Sequence, residues 1–140
     1  MNKDISIRDL LPTEVEAARQ FLERHGWGHR TGTAEHFAQL VQNSQRTAVA
    51  LSGQQIIGFA RGITDGLSNG YLSMVVVAEP LRRQGIGQAL VRHILGSEKG
   101  ITWVLRAGRP GAAEFFARLG FSPSSAAMER PREQQLRTAP

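Results

Sequence analysis

A mixed sheet of the α/β or α+β kind, with helices on its faces, is predicted by three features of this sequence. Strand-length runs that alternate or are wholly apolar recur along it. Between them lie segments with apolar residues at helical spacing, bounded by recognisable helix starts and stops. The resulting order is β-α-α-β-β-β-α-β-α-β, which buries one sheet beneath helices. A length of 140 residues fits one compact domain, expected over 1–130 with 131–140 as a polar tail.

The elements follow in order. Ile5-Ser6-Ile7-Arg8 alternates as a first strand does. Thr13-Glu14-Val15-Glu16 has the form of a capping box, and Val15, Ala18, Phe21 and Leu22 follow at helical spacing until Gly26 stops the helix. A second helix is expected from Thr33, as its N-cap, through Phe37, Leu40 and Val41. Between the two lies His25-Gly26-Trp27-Gly28-His29-Arg30, a glycine-broken segment.

Thr47–Leu51, a turn at Ser52-Gly53 and Ile56–Ala60 read as a hairpin. Asp65-Gly66 and Asn69-Gly70 bracket a loop before Tyr71–Val77, whose apolar run marks a central strand. A helix follows with Ile86, Leu90, Val91, Ile94 and Leu95 on one face, then a strand at Ile101–Leu105. Pro110 suits the first turn of a helix running through Phe115, Phe116 and Leu119 to Gly120. Phe121 begins a short strand, and Ala126–Met128 is a candidate for one more.

Composition narrows the function classes. Apolar residues make up 41% and charged residues 21%, the balance of a folded soluble domain. No apolar run approaches the ~20 residues of a membrane span, so no membrane partner is expected. Cysteine is absent, which removes disulfides, thiolate metal sites and a thiol nucleophile together; a reducing cytoplasm is the default location. The four histidines show no metal-ligand spacing, and no paired carboxylates suggest a divalent cation.

Formal net charge is +5 and lies wholly in the second half: residues 71–140 carry ten Lys/Arg against five Asp/Glu, whereas residues 1–70 carry seven of each. A basic half-domain suits an anionic partner, either nucleic acid or a phosphorylated cofactor, or is simply a solvated surface. Nucleic acid is the weaker choice, because the arginines are not interleaved with aromatics and Trp103, Phe115, Phe116 and Phe121 fall at core-like spacings.

The segment between the apolar strand and the next helix is Arg82-Arg83-Gln84-Gly85-Ile86-Gly87-Gln88. Glycines let backbone approach a ligand closely, and the first amides of a helix are unsatisfied and carry the positive end of its dipole. Such a turn can cradle a pyrophosphate, with Arg82 and Arg83 adding full charges; a plain tight turn is the alternative. Leu90 stands where a dinucleotide fingerprint needs its third glycine, and no Gly-Lys-Ser/Thr follows for a triphosphate loop.

Val77, Arg82-x-x-Gly85-x-Gly87 and Ala89-Leu90 together resemble the acetyl-CoA motif of the GNAT N-acetyltransferase superfamily. Phe115-Phe116-Ala117-Arg118-Leu119-Gly120-Phe121 resembles its second signature, an aromatic helix ending in Leu-Gly-Phe. The resemblance is close over roughly residues 71–121 and is one of element order elsewhere. It implies a mostly antiparallel sheet splayed at the central strand, and acetyl-CoA or a related acyl-CoA as co-substrate. It further implies that the amides of Arg82, Arg83, Gln84, Gly85, Ile86, Gly87 and Gln88 hold the pyrophosphate. The pantetheine arm would pair with the strand near Val75, Val76 and Val77, where an amide would stabilise the thioester oxyanion.

The implied reaction is acetyl transfer to a primary amine of a small molecule or protein, by direct attack in a ternary complex. A homodimer is compatible with the resemblance. Two positions depart from the family pattern: Arg109 stands where an asparagine is common, and Phe116 where a tyrosine is commonly the acid for the departing thiolate. A thiol of pKa ~8.5 leaves tolerably as the anion, so turnover does not require that acid. An acyl-CoA sensor with little or no turnover is the alternative. An alkylamine of pKa ~10.4 must lose a proton before attack, and Tyr71, Ser73, Glu79, His25, His29 and His36 are the candidates to assist. No spacing singles one out.

Overall fold

A computed structural model describes residues 4–133. The chain falls into two compact units, Met1–Arg106 and Ala107–Pro140.

In the first unit, strand β1 (Ile5–Asp9) leads through a three-residue turn, Pro12–Glu14, into helix α1 (Val15–Leu22). The expected box on Thr13 and Glu16 does not form. Pro12, with φ already suited to helix entry, starts the turn earlier. Glu14 therefore reaches back to the Leu11 amide at 2.9 Å and pairs with Arg8 at 2.6 Å, while Glu16 pairs with Arg19. Gly26 breaks the helix as expected, at φ +88°. The glycine-broken segment is not open: it winds into a one-turn helix, α2 (Gly28–Thr31). Helix α3 (Ala34–Gln42) starts at the expected cap, with the His36 amide donating to the Thr33 hydroxyl at 3.1 Å.

Strands β2 (Arg46–Ser52), β3 (Gln55–Thr64) and β4 (Asn69–Val77) follow, then helix α4 (Ile86–Leu95) and strand β5 (Thr102–Val104). The sheet order is β1-β2-β3-β4-β5; its first four strands are antiparallel, and β5 joins β4 in parallel. The middle position belongs to β3, and the apolar run Tyr71–Val77 forms the next strand out. Its burial alternates: Leu72, Met74 and Val76 are buried, and the residues between them are half-buried.

Each face of the sheet carries a core. Phe21, Leu22 and Phe37 from α1 and α3 pack on Val49, Phe59, Met74 and Val76. On the other face α4 lies close enough that a Cβ at Gly62 would stand 2.6 Å from the Ile94 side chain. Arg46 fastens the end of α4 to the sheet: it donates to the Ile94 and Leu95 carbonyls at 2.8 and 3.2 Å, pairs with Glu98 and lies over the Trp103 ring.

In the second unit, helix α5 (Ala112–Ala117) begins two residues after Pro110, behind Gly111 at φ +81°. Phe116 meets Phe115 and Phe121 edge to face, with centroids 4.9 and 5.8 Å apart. The strands expected at Phe121 and Ala126–Met128 do not form. Phe121 folds back to donate to the Phe116 carbonyl at 3.1 Å. The Ser124 hydroxyl accepts from the Ala126 and Ala127 amides, taking the donors a strand ladder would use. Of the expected tail, 134–140 lies outside the described residues.

Candidate functional site

Strand β4 supplies an open backbone edge. It pairs with β5 only from Asn69↔Thr102 to Tyr71↔Val104, and among the described residues no strand partner continues beyond. Its pairing with β3 contains a bulge: Phe59↔Val76 and Arg61↔Ser73 enclose Ala60 alone against Met74 and Val75. Met74 takes φ +55°, a left-handed conformation that is costly for a long side chain. Beyond the bulge, the Ala78 amide donates to the Ile57 carbonyl at 2.9 Å. Strand alternation then turns the N–H and C=O of Val77, and of Val75 before it, away from β3 toward the open side.

The chain leaves β4 through a turn at Glu79–Leu81, built on Pro80, and enters α4 at Ile86. Arg83 and Gly85 are both left-handed, at φ +67° and +84°, and so shape a concave run of amides. The first helical bond is from the Ala89 amide to the Gly85 carbonyl. Among the described residues, the amides of Arg83, Gly85, Ile86, Gly87 and Gln88 enter no backbone hydrogen bond, whereas the Gln84 amide, expected to be free, closes a hydrogen-bonded turn over Arg82 and Arg83. Arg82 differs from the expectation. Its amide donates to the Glu79 carbonyl at 3.2 Å and its Nε to the Val77 carbonyl at 3.0 Å, so only its Nη groups remain to meet a ligand. The turn is exposed from Arg82 to Gly85, and a Cβ at Gly85 would touch nothing within 4 Å. The residues present therefore fit a pyrophosphate: free amides, the positive end of a ten-residue helix and two arginines.

The candidate proton-handling groups divide. Tyr71 and Ser73 share one face of β4, near where it parts from β5. Glu79 lies beyond the other end, within roughly 20 Å of Ser73, the reach of a fully extended strand at ~3.3 Å per residue. The histidines do not converge. His25 packs on Phe21, His29 stacks on Trp27, exposed His36 sits in the first turn of α3, and His93 bonds Asp9 at 2.7 Å. No group of three His, Asp or Glu side chains suited to a metal occurs among the described residues, and none of their helices is long and apolar enough to cross a membrane.

One residue at the site escaped the sequence reading. Arg61, in β3, stands across from Ser73 on the same face. Its Nε donates to the Ser44 hydroxyl at 2.8 Å, and Ser44 in turn donates to the Leu40 carbonyl at 2.6 Å. Partial burial pulls its pKa below the ordinary arginine value; Tyr71 opposes that shift and Arg30 adds to it. The available signal was a lone cation in the otherwise uncharged run Ile56–Thr64.

A family profile for the acetyltransferase (GNAT) domain matches residues 43–123. No curated protein sequence matches the chain. Several solved structures share its fold. A GNAT-family acetyltransferase of Streptococcus pneumoniae is 24% identical with a TM-score of 0.75, over 92% of this chain and 99% of that one. A Staphylococcus aureus protein, described as a probable acetyltransferase, is 19% identical with a TM-score of 0.76, over 94% and 99%. AAC(6′)-Iy, solved with the bisubstrate analogue CoA-S-monomethyl-acetylneamine, is 16% identical with a TM-score of 0.71, over 93% and 99%. With the matched profile spanning more than half of its length, this chain belongs to the GNAT acetyltransferase family.

Proposed function

We propose that this chain transfers an acetyl group from acetyl-CoA to a primary amine, by direct attack while both substrates are bound. The observation that carries the reading is the set of five amides, of Arg83, Gly85, Ile86, Gly87 and Gln88, that no backbone acceptor engages, placed where β4 opens. These amides and the Arg82 and Arg83 side chains hold the diphosphate. Val75 and the Val77 amide offer outward backbone groups to the pantetheine amides, the Val77 carbonyl being held by Arg82, and Val76 fixes the strand by packing inward against the α1 and α3 core. The co-substrate supplies an acyl group on a good leaving group.

The amine nitrogen forms a bond to the acyl carbon as the carbon–sulfur bond breaks, and the nitrogen's excess proton passes to water or a nearby base. Positioning provides most of the acceleration, because a thiolate leaves without prior protonation. Ser73 and Tyr71, at the thioester end of the strand, orient the incoming amine, whereas Glu79 lies at the diphosphate end and takes no part in the proton transfer.

Phe116, at the family's tyrosine position, supports the second reading, a sensor that binds acyl-CoA without turnover. Thiol release from acetyl-CoA, measured against a panel of primary amines, separates the two. Amine-dependent release supports the transferase. A CoA-induced rise in Tm with no turnover on any amine favours the sensor, and no rise in Tm overturns both.

A further inference from the structure

We propose that the acceptor amine carries an oxyanion, a carboxylate or a phosphate, and that Arg61 is the residue that recognises it. The inference rests on the transferase reading for the word acceptor, but its geometric basis is separate. On the sheet face opposite α4, helices α1 and α3 cover Phe59 and Val76. They do not cover the far end of that face, where Ile63 and Val104 remain 38% and 44% exposed. Arg61, Tyr71 and Ser73 lie on the same face by strand register. At a strand spacing of about 4.8 Å, Arg61 stands one strand in from the edge at which β4 parts from β5.

A partly buried guanidinium is ordinarily matched by a carboxylate, because desolvating an unmatched charge is unfavourable. Three other arginines of this unit are matched in that way: Arg8 pairs with Glu14, Arg19 with Glu16 and Glu23, and Arg46 with Glu98. Arg61 does not. Its partner among the described residues is a neutral hydroxyl on Nε, so both Nη groups stay available, and Arg30 contributes a second positive charge instead of a compensating acid. The Ser44 bridge to the Leu40 carbonyl holds the Nε edge of the guanidinium against α3. A planar fork fixed on one edge, with its Nη groups unmatched, suits an incoming group with two oxygens. Tyr71 and Ser73 add hydroxyls beside it.

The test uses matched ligand pairs and the full chain, with and without saturating CoA. One pair is an amino acid and its amide; the other is O-phosphoethanolamine and ethanolamine. Calorimetric Kd and kcat/KM are compared for wild type, Arg61→Gln and Arg61→Lys. The expected result is that wild type prefers the anionic member of one pair by at least 10-fold, and which pair responds identifies the oxyanion. Arg61→Gln should bring that preference within 3-fold, Arg61→Lys should retain part of it, and the CoA-induced rise in Tm should be equal in all three. Equal binding of both members of each pair by wild type, or an undiminished preference in Arg61→Gln, overturns the proposal. Loss of the CoA response in wild type overturns the acyl-CoA reading instead, and anion preference in the CoA-free chain would survive it.

Discussion

The Arg82 side chain reaches back along its own turn to donate to the Val77 carbonyl at 3.0 Å. This bond joins the end of the open strand to the start of the amide-lined turn, so the two halves of the proposed co-substrate site are held in one geometry. Replacing Arg82 by Ala removes both the tie and a cation. A hydrogen bond from a charged Nη to a CoA phosphate contributes about 1.5–3 kcal/mol, so Kd for CoA should rise ~10- to 100-fold, while loss of the exposed tie to Val77 lowers Tm of the free protein modestly. Calorimetric titration of CoA into the variant checks this; an unchanged Kd would remove Arg82 from the site.

Gly85 should be sensitive for a different reason. Its φ of +84° is unfavourable for other residues, although space around it is open. Gly85→Ala should therefore cost about 1–2 kcal/mol of stability and weaken CoA binding, because relaxing the backbone turns the amides away. Gly85→Asn should do less on both counts, since asparagine tolerates the left-handed region. A urea series with CoA titrations of both variants tests the ranking, and equal losses would point to side-chain obstruction.

Much of this arrangement was legible in the sequence, for identifiable reasons. Thr33 as a cap, Gly26 as a break and the Ser52-Gly53 hairpin are local effects, settled by a few neighbouring atoms. The turn from Arg82 to Gln88 could be read because its chemistry is backbone chemistry, announced by two glycines. The open edge of β4 could not be derived from local pattern; it depends on where β5 stops pairing, which only the resemblance implied. Arg61 was hidden in a count. A first half with equal numbers of acids and bases looked neutral, but Arg8 and Arg19 engage Glu14, Glu16 and Glu23, leaving the positive charge of Arg61 unmatched.

Arg46 predicts a loss of stability independent of the site. Its donors cap the last carbonyls of α4, where the helix dipole is negative, and its guanidinium lies 5.7 Å from the centre of the Trp103 ring. Arg46→Ala should destabilise the fold by about 2–3 kcal/mol, the sum of a charged hydrogen bond and a cation–π contact. Arg46→Lys keeps the charge but not the forked geometry, and should recover less than half of that. Urea midpoints at constant m-value measure both; a Lys variant equal to wild type would mean that charge alone acts here.

Acid should unfold the protein partly through Glu14. The Arg8 side chain, above all by direct hydrogen bonds, lowers its carboxyl from an ordinary 4.5 to about 2, with the Leu11 amide adding to the effect and burial opposing it. A depressed carboxyl pKa stabilises the folded state fully above the unfolded value, and that contribution disappears as pH falls through the folded one. The affected window is therefore about pH 4.5 to 2. Glu14→Gln should lower Tm at pH 6–7, where the ionised pair is intact, and the wild-type and variant curves should converge as pH drops through that window. Thermal melts at half-unit pH steps report the difference directly. A constant gap down to pH 2 would show that Glu14 acts by packing, and the Arg8 pair would then contribute no pH-dependent stability.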